Sequence, residues 1–226
     1  MPRLLFTHGN LDVPSTFDSL LPLLPHEPKL CIDLLDTFLD WPADKPVNIV
    51  DVARQVAQQY AIGPDDVVIG HSMGGWIAAH VKAQTGATAV LLNSWTDPRK
   101  INAPIRRLNW LKPLVYSRLY QHRALITLAK AMYPIRASRK RVQATLDRLA
   151  VINPSYLFWQ YQLIFNPAPP LTVSPDLRIH TRRDPVVRPP DQPFVLVPGD
   201  HVAHTIYPNE VAVAINAYLT ENAPAS

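Results

Sequence analysis

Residues Gly70-His71-Ser72-Met73-Gly74 form a G-x-S-x-G sequence, a pattern suited to nucleophilic attack on a carbonyl carbon. A serine hydroxyl does this chemistry only when a base removes its proton and a third group holds that base in the correct tautomer. Residues 66–70 read as a buried strand and residues 76–83 as a helix. The motif requires that strand–turn–helix setting: its glycines allow a sharp turn, and the helix's first turn carries partial positive charge that favours an oxyanion. The Met73 amide is the expected donor to that oxyanion. Without such flanks, the same glycines would read as a plain connector.

The elements that must position Ser72 are legible as short apolar runs alternating with helical patterns. Runs at 4–6, 30–35, 66–70, 88–92, 177–180 and 194–197 read as strands. Residues 47–60 carry apolar side chains at helical spacing and stop at Gly63-Pro64, and a closing helix is expected at about 209–219. Alternating strands and helices predict an α/β fold, with a mostly parallel sheet covered by helices on both faces. In such folds ligands bind at the carboxyl ends of the strands. Residues 1–98 and 171–226 are the expected core. Residues 99–170 are expected to form an inserted helical cap over that rim, divided into short helices by Pro104, Pro113, Pro134 and Pro154.

The elbow Gly-His-Ser-Met-Gly-Gly in this setting resembles the serine esterase and lipase-like members of the α/β-hydrolase superfamily, over the two core segments but not the cap. The resemblance implies the α/β-hydrolase fold, here lacking the usual first strands and the helix between the last two. It also implies a Ser-Asp-His order of catalytic groups. His8-Gly9-Asn10 is similar to the family's oxyanion loop, which would make the Asn10 amide the second oxyanion donor. The segment 179–187 is similar to the family's acid loop, with Asp184 in the acid's place and Thr181 where glycine is usual. Arg182 and Arg183 would keep Asp184 ionised if they turn toward it, and Asp97 is the alternative acid. Gly199-Asp200-His201 is similar to the family's histidine loop and gives His201 the role of base. His204 is then an outer residue or a helix start.

His8, Gly9, His71 and Trp95 are expected near the pocket. Bland readings suit His26 and His122 on the surface, His80 on a helix and His180 in a strand. No histidine shows metal-ligand spacing, and the expected chemistry needs no cofactor or metal.

Composition narrows the setting. Cys31 is the only cysteine in 226 residues, which leaves no partner for an intrachain disulfide and none for a cysteine-built zinc site. The N-terminal sequence lacks a signal-peptide pattern, and no apolar run approaches the roughly 20 residues of a membrane span; a cytoplasmic location is expected. The net charge of +4 hides an asymmetry: residues 98–150 hold thirteen Lys/Arg against one acidic residue, Asp147. Three readings of that excess stand open. It draws in an anionic substrate, rests on an anionic membrane, or is a solvated face with its aromatics packed inward. No recognised nucleic-acid module accompanies it.

The expected reaction is hydrolysis of a small carboxylic ester or thioester through an acyl-serine. One alternative is C–C hydrolysis or a lyase step on an acidic substrate with the same groups. The other is a non-catalytic binding protein on a hydrolase core.

Overall fold

The computed structural model describes residues 3–25 and 28–222. Six strands, β1 (Leu4–Thr7), β2 (Lys29–Ile32), β3 (Val67–His71), β4 (Thr88–Leu92), β5 (Leu177–Thr181) and β6 (Val195–Val197), form one sheet in the order β2-β1-β3-β4-β5-β6. Every pairing is parallel, so all carboxyl ends lie along one rim. The helices are α1 (Leu34–Leu39), α2 (Ile49–Gln59), α3 (Met73–Thr85), α4 (Leu108–Tyr116), α5 (Arg123–Met132), α6 (Arg139–Asp147), α7 (Pro154–Phe165), α8 (Ala203–Ile206) and α9 (Pro208–Glu221).

Side chains alternate across a strand, and that alternation divides the core in two. Leu5 and Val68 point into a cluster with α2, α3 and α7. Leu4, Phe6, Val67 and Ile69 point the other way, onto Phe17 and α9. Helices therefore cover both faces, as the apolar runs predicted.

Several boundaries differ from the sequence-based expectation, each for a local reason. The second strand stops at Ile32 because the Asp33 side chain accepts the Leu35 amide and caps α1. Helix α3 starts at Met73, three residues early, and is buried from Met73 through Val81. A helix buried on all sides shows no amphipathic pattern to mark its start. Pro113 lies inside α4 rather than dividing helices. The i−4 carbonyl that it leaves without an amide partner belongs to exposed Asn109, where water can satisfy it.

Helices α4 to α7 fill the connection between β4 and β5. The last of them packs against α1 and α2 and places Trp159, Leu163 and Ile164 in the same cluster as α2 and α3. The link from β5 to β6 contains no helix, only an antiparallel bridge between Val187 and Ile101. Among the described residues no helix is long and apolar enough to cross a membrane. His26 lies outside the described residues.

Candidate active site

Ser72 follows β3 directly and has φ +53° and ψ −120°, a conformation that an L-residue holds only when its surroundings enforce it. The enforcement is visible in the packing. Gly74 lies so close to β1 that a Cβ there would meet the Thr7 carbonyl oxygen at 2.0 Å. The Thr7 hydroxyl donates to the Gly74 carbonyl at 2.9 Å, and the Ser94 hydroxyl donates to the Ser72 carbonyl at 2.6 Å. As the first residue of α3, Met73 carries an amide with no intrahelical acceptor. The loop after β1 passes beside the elbow, where Gly9 leaves room for the His71 ring and the Ser72 Cβ, each 3.0 Å from where its own Cβ would be.

Three side chains from the carboxyl ends of three strands meet here. His201 Nε2 lies 2.9 Å from Ser72 Oγ, and His201 Nδ1 lies 2.8 Å from Asp184 Oδ2. A carboxylate can only accept, so Nδ1 carries the proton and Nε2 presents its lone pair to the hydroxyl. Asp184 is further fixed by the Val186 and Val187 amides, at 2.7 and 2.9 Å, on Oδ1. Asn93, the residue after β4, donates to Asp184 Oδ2 at 2.9 Å and to the Thr181 hydroxyl at 3.0 Å.

Burial pushes the Asp184 carboxyl up. His201, the Val187 amide and Asn93 outweigh that effect and hold it at about 2. Arg182 and Arg183 are not among its main causes; both are exposed and neither pairs with Asp184 among the described residues, which corrects the idea that they turn toward the acid. Asp97 instead caps a short turn through the Arg99 amide and pairs with the Arg99 guanidinium.

The remaining histidines divide by what they hold. His71 donates from Nε2 to the His201 carbonyl at 2.8 Å, which steadies the loop that carries His201. The His71 ring lies 4.1 Å from that of His204, whose Nε2 meets the Thr16 hydroxyl at 2.8 Å. His8 bonds the Gly9 carbonyl through Nδ1 and accepts the Leu34 amide at Nε2, so it ties β1 to α1. His122 is exposed.

Asp12, His71 and His204 bring ligand-type atoms within 4.8 Å of one another, the one such group among the described residues. Its carboxylate is already matched by a cation, Arg141 of α6, whose guanidinium lies 2.5 Å from Asp12 Oδ1 and 2.9 Å from the Thr16 hydroxyl.

These buried imidazoles make stability depend on pH. Burial, with a smaller contribution from His201, lowers His71 to about 3. Burial alone lowers His80 to about 4, and His204 is pushed well below its ordinary value, again mainly by burial. The unfolded chain takes up these protons near pH 6.5, whereas the folded chain refuses them until far lower pH. The stability they contribute is therefore complete above that pH and is lost as pH falls. The unfolding free energy should decline from pH 7 to pH 5, with a slope for each histidine that approaches roughly 1.4 kcal/mol per pH unit only below about pH 6. His204→Asn should remove its share of the slope. A flat profile would contradict this.

A cavity of about 330 Å³ opens at Ser72 and His201, walled by Trp95, Tyr133, Tyr161 and Phe165, with Asn10, Leu11 and His71 at its edge. His8 and Gly9 are not in its wall, because His8 turns toward α1 and only the backbone of Gly9 passes the elbow. No Lys or Arg is in the wall either. Arg99, Arg106 and Arg178 line a different cleft of about 690 Å³ that contains none of Ser72, His201 and Asp184.

Sequence reasoning missed Asn93, Arg141 and the pair Tyr133 and Ser138, whose hydroxyls donate to Asp200 beside His201. It also missed Gln160, whose Oε1 accepts the Leu11 amide at 3.1 Å. Asn93 alone had a local signal, a polar residue at the end of a buried strand.

The fold has many solved counterparts. A hydrolase from Oleispira antarctica is similar at TM-score 0.70 and 14% identity, over 98% of this chain and 90% of that one. An esterase from Thermogutta terrifontis is similar at 0.66 and 16%, over 98% and 90%. A bromoperoxidase from Bacillus anthracis is similar at 0.70 and 14%, over 97% and 92%. No curated protein sequence matches. The sequence profile of the Alpha/beta hydrolase family matches residues 4–215, and the chain belongs to that family.

Proposed function

We propose that the protein is a serine hydrolase that cleaves a carboxylic ester or thioester through an acyl-Ser72 intermediate. The observation that carries this reading is the continuous path from Asp184 through His201 to the Ser72 hydroxyl, with hydrogen bonds of 2.8 and 2.9 Å. As Ser72 Oγ attacks the acyl carbon, His201 Nε2 takes its proton, and Asp184 stabilises the imidazolium without accepting that proton. The Met73 and Asn10 amides hold the oxyanion; each such donor contributes about 3 kcal/mol of transition-state stabilisation. His201 then protonates the departing alcohol or thiol. In the second half His201 deprotonates water, which attacks the acyl carbon, and the proton returns to Ser72 as the acid leaves.

The largely apolar wall of the cavity, in which Asp12 is the one charged side chain and is matched by Arg141, favours an uncharged acyl group. It counts against an acidic substrate, because the arginines invoked for one lie elsewhere. The esterase among the structural neighbours agrees with this choice. In this reading helices α4 to α6 act as a cap, which grips the oxyanion loop through Arg141 and Asp12 and the histidine loop through Tyr133, Ser138 and Asp200.

Arg141 is accordingly a positioning residue. Arg141→Met should lower kcat by up to about 10²-fold, the cost of a small misplacement in a catalytic site, with KM nearly unchanged. Arg141→Lys should restore part of the loss. A rise in KM at constant kcat would instead make Arg141 a substrate contact. Hydrolysis of p-nitrophenyl esters and acyl thioesters of graded chain length tests the proposal. Turnover of uncharged short acyl groups is expected; turnover confined to anionic substrates, or absent throughout, would overturn it.

A further inference from the structure

Helices α4 and α5 expose apolar side chains that the fold does not use. Each helix buries a narrow stripe, Leu111 and Val115 on α4 and Ile126 on α5. Outside those stripes Trp110 is 66% exposed, Leu128 55% and Met132 71%, and Leu119 on the short turn between the helices is 56% exposed. That turn touches both helices, so the exposed groups belong to one continuous segment of the chain, residues 107–132.

Arg107, Lys112, Arg118 and Arg123 stand among them, all exposed, and no acidic residue occurs between Asp97 and Asp147. Exposed aromatic and aliphatic tips set among cations that form no ion pair with the described residues match two layers of a lipid surface at once. The tips enter the acyl boundary while the cations stay with anionic headgroups.

We propose that the α4–α5 face docks on anionic lipid membrane. A second copy of the chain through the same face would set cation against cation. A nucleic acid would leave Leu128 and Met132 in water. The docking does not rest on the chemistry proposed for Ser72; it places a lipid surface beside the segment that runs from α5 into Tyr133, in the wall of the cavity.

Co-sedimentation of the full chain with vesicles of phosphatidylcholine, alone or mixed with phosphatidylserine, tests the proposal. Binding is expected on the mixed vesicles. It should be at least about tenfold weaker on phosphatidylcholine alone, and similarly weaker in about 1 M salt, where the Debye length is about 3 Å. Two triple variants, Trp110→Ser with Leu128→Ser and Met132→Ser, and Arg107→Glu with Lys112→Glu and Arg118→Glu, should each lose about tenfold in binding while keeping the thermal midpoint, because every altered side chain is exposed. Equal binding to both vesicle types, no binding to the mixed vesicles, or full binding by the apolar variant would overturn the proposal. So would a dimer that either variant abolishes, or an oligonucleotide bound in place of lipid.

Discussion

Ser72→Ala is expected to lower kcat/KM by about 10⁶-fold, the scale on which a serine hydrolase loses rate when its nucleophile is removed. The loss falls on kcat, because the cavity wall is unchanged and substrate still binds. Folding should not suffer. Ser72 sits at φ +53°, strained for serine and alanine alike, and among the described residues its hydroxyl bonds His201 alone. A thermal midpoint close to that of the unaltered protein, together with the rate loss, separates chemistry from misfolding. Retention of more than about one hundredth of the rate would be inconsistent with an acyl-Ser72 intermediate.

Asp184→Asn should cost about 10⁴-fold in kcat, the consequence of holding a catalytic imidazole in the wrong tautomer. The amide nitrogen of the new side chain would donate to His201 Nδ1, which forces the proton onto Nε2 and leaves no lone pair facing Ser72. Asn93 adds a second conflict, since it already donates to the same carboxylate oxygen. A change in the pH dependence of stability should accompany the loss. The ionised Asp184 is held at about 2 in the folded chain, below its ordinary value. Its contribution to stability is therefore full above about pH 4 and disappears as pH falls toward 2; the variant should lack that acid step. Asp97→Asn should leave kcat within about twofold, because the Asp97 carboxylate bonds Arg99 and its loss removes no transition-state contact. The reverse order of the two variants would assign the acid to Asp97.

The contrast between these two aspartates shows what a sequence can and cannot carry. Both follow a strand end closely, Asp97 after Leu92 and Asp184 after Thr181, so spacing alone leaves both open. The choice rests on how the loop after β5 folds back so that Val186 and Val187 can bond Asp184. The elbow was legible because its constraints are local: a strand, glycines where β1 crowds α3, and a helix start. The sheet was legible because alternate residues of Leu4-Leu5-Phe6 and Val67-Val68-Ile69 feed opposite cores.

The supports of the site were not legible, because their partners are remote in the chain. Asn93 meets Asp184 across 91 positions, Tyr133 meets Asp200 across 67, and Arg141 meets Asp12 across 129. The thirteen basic residues of 98–150 looked alike in sequence. The fold separates Arg141, turned inward onto Asp12, from Arg107 and Lys112, left in solvent.

The most direct measurement is the intact mass of the protein after exposure to a fluorophosphonate, followed by mapping of the adduct. Reaction with such a phosphorus centre demands an ionisable hydroxyl beside a base and a hole for the oxyanion. One adduct per chain on Ser72, abolished in His201→Ala, is the predicted result. A folded protein that takes up no label, or takes it up at another residue, would contradict the claim that the imidazole of His201 activates this serine.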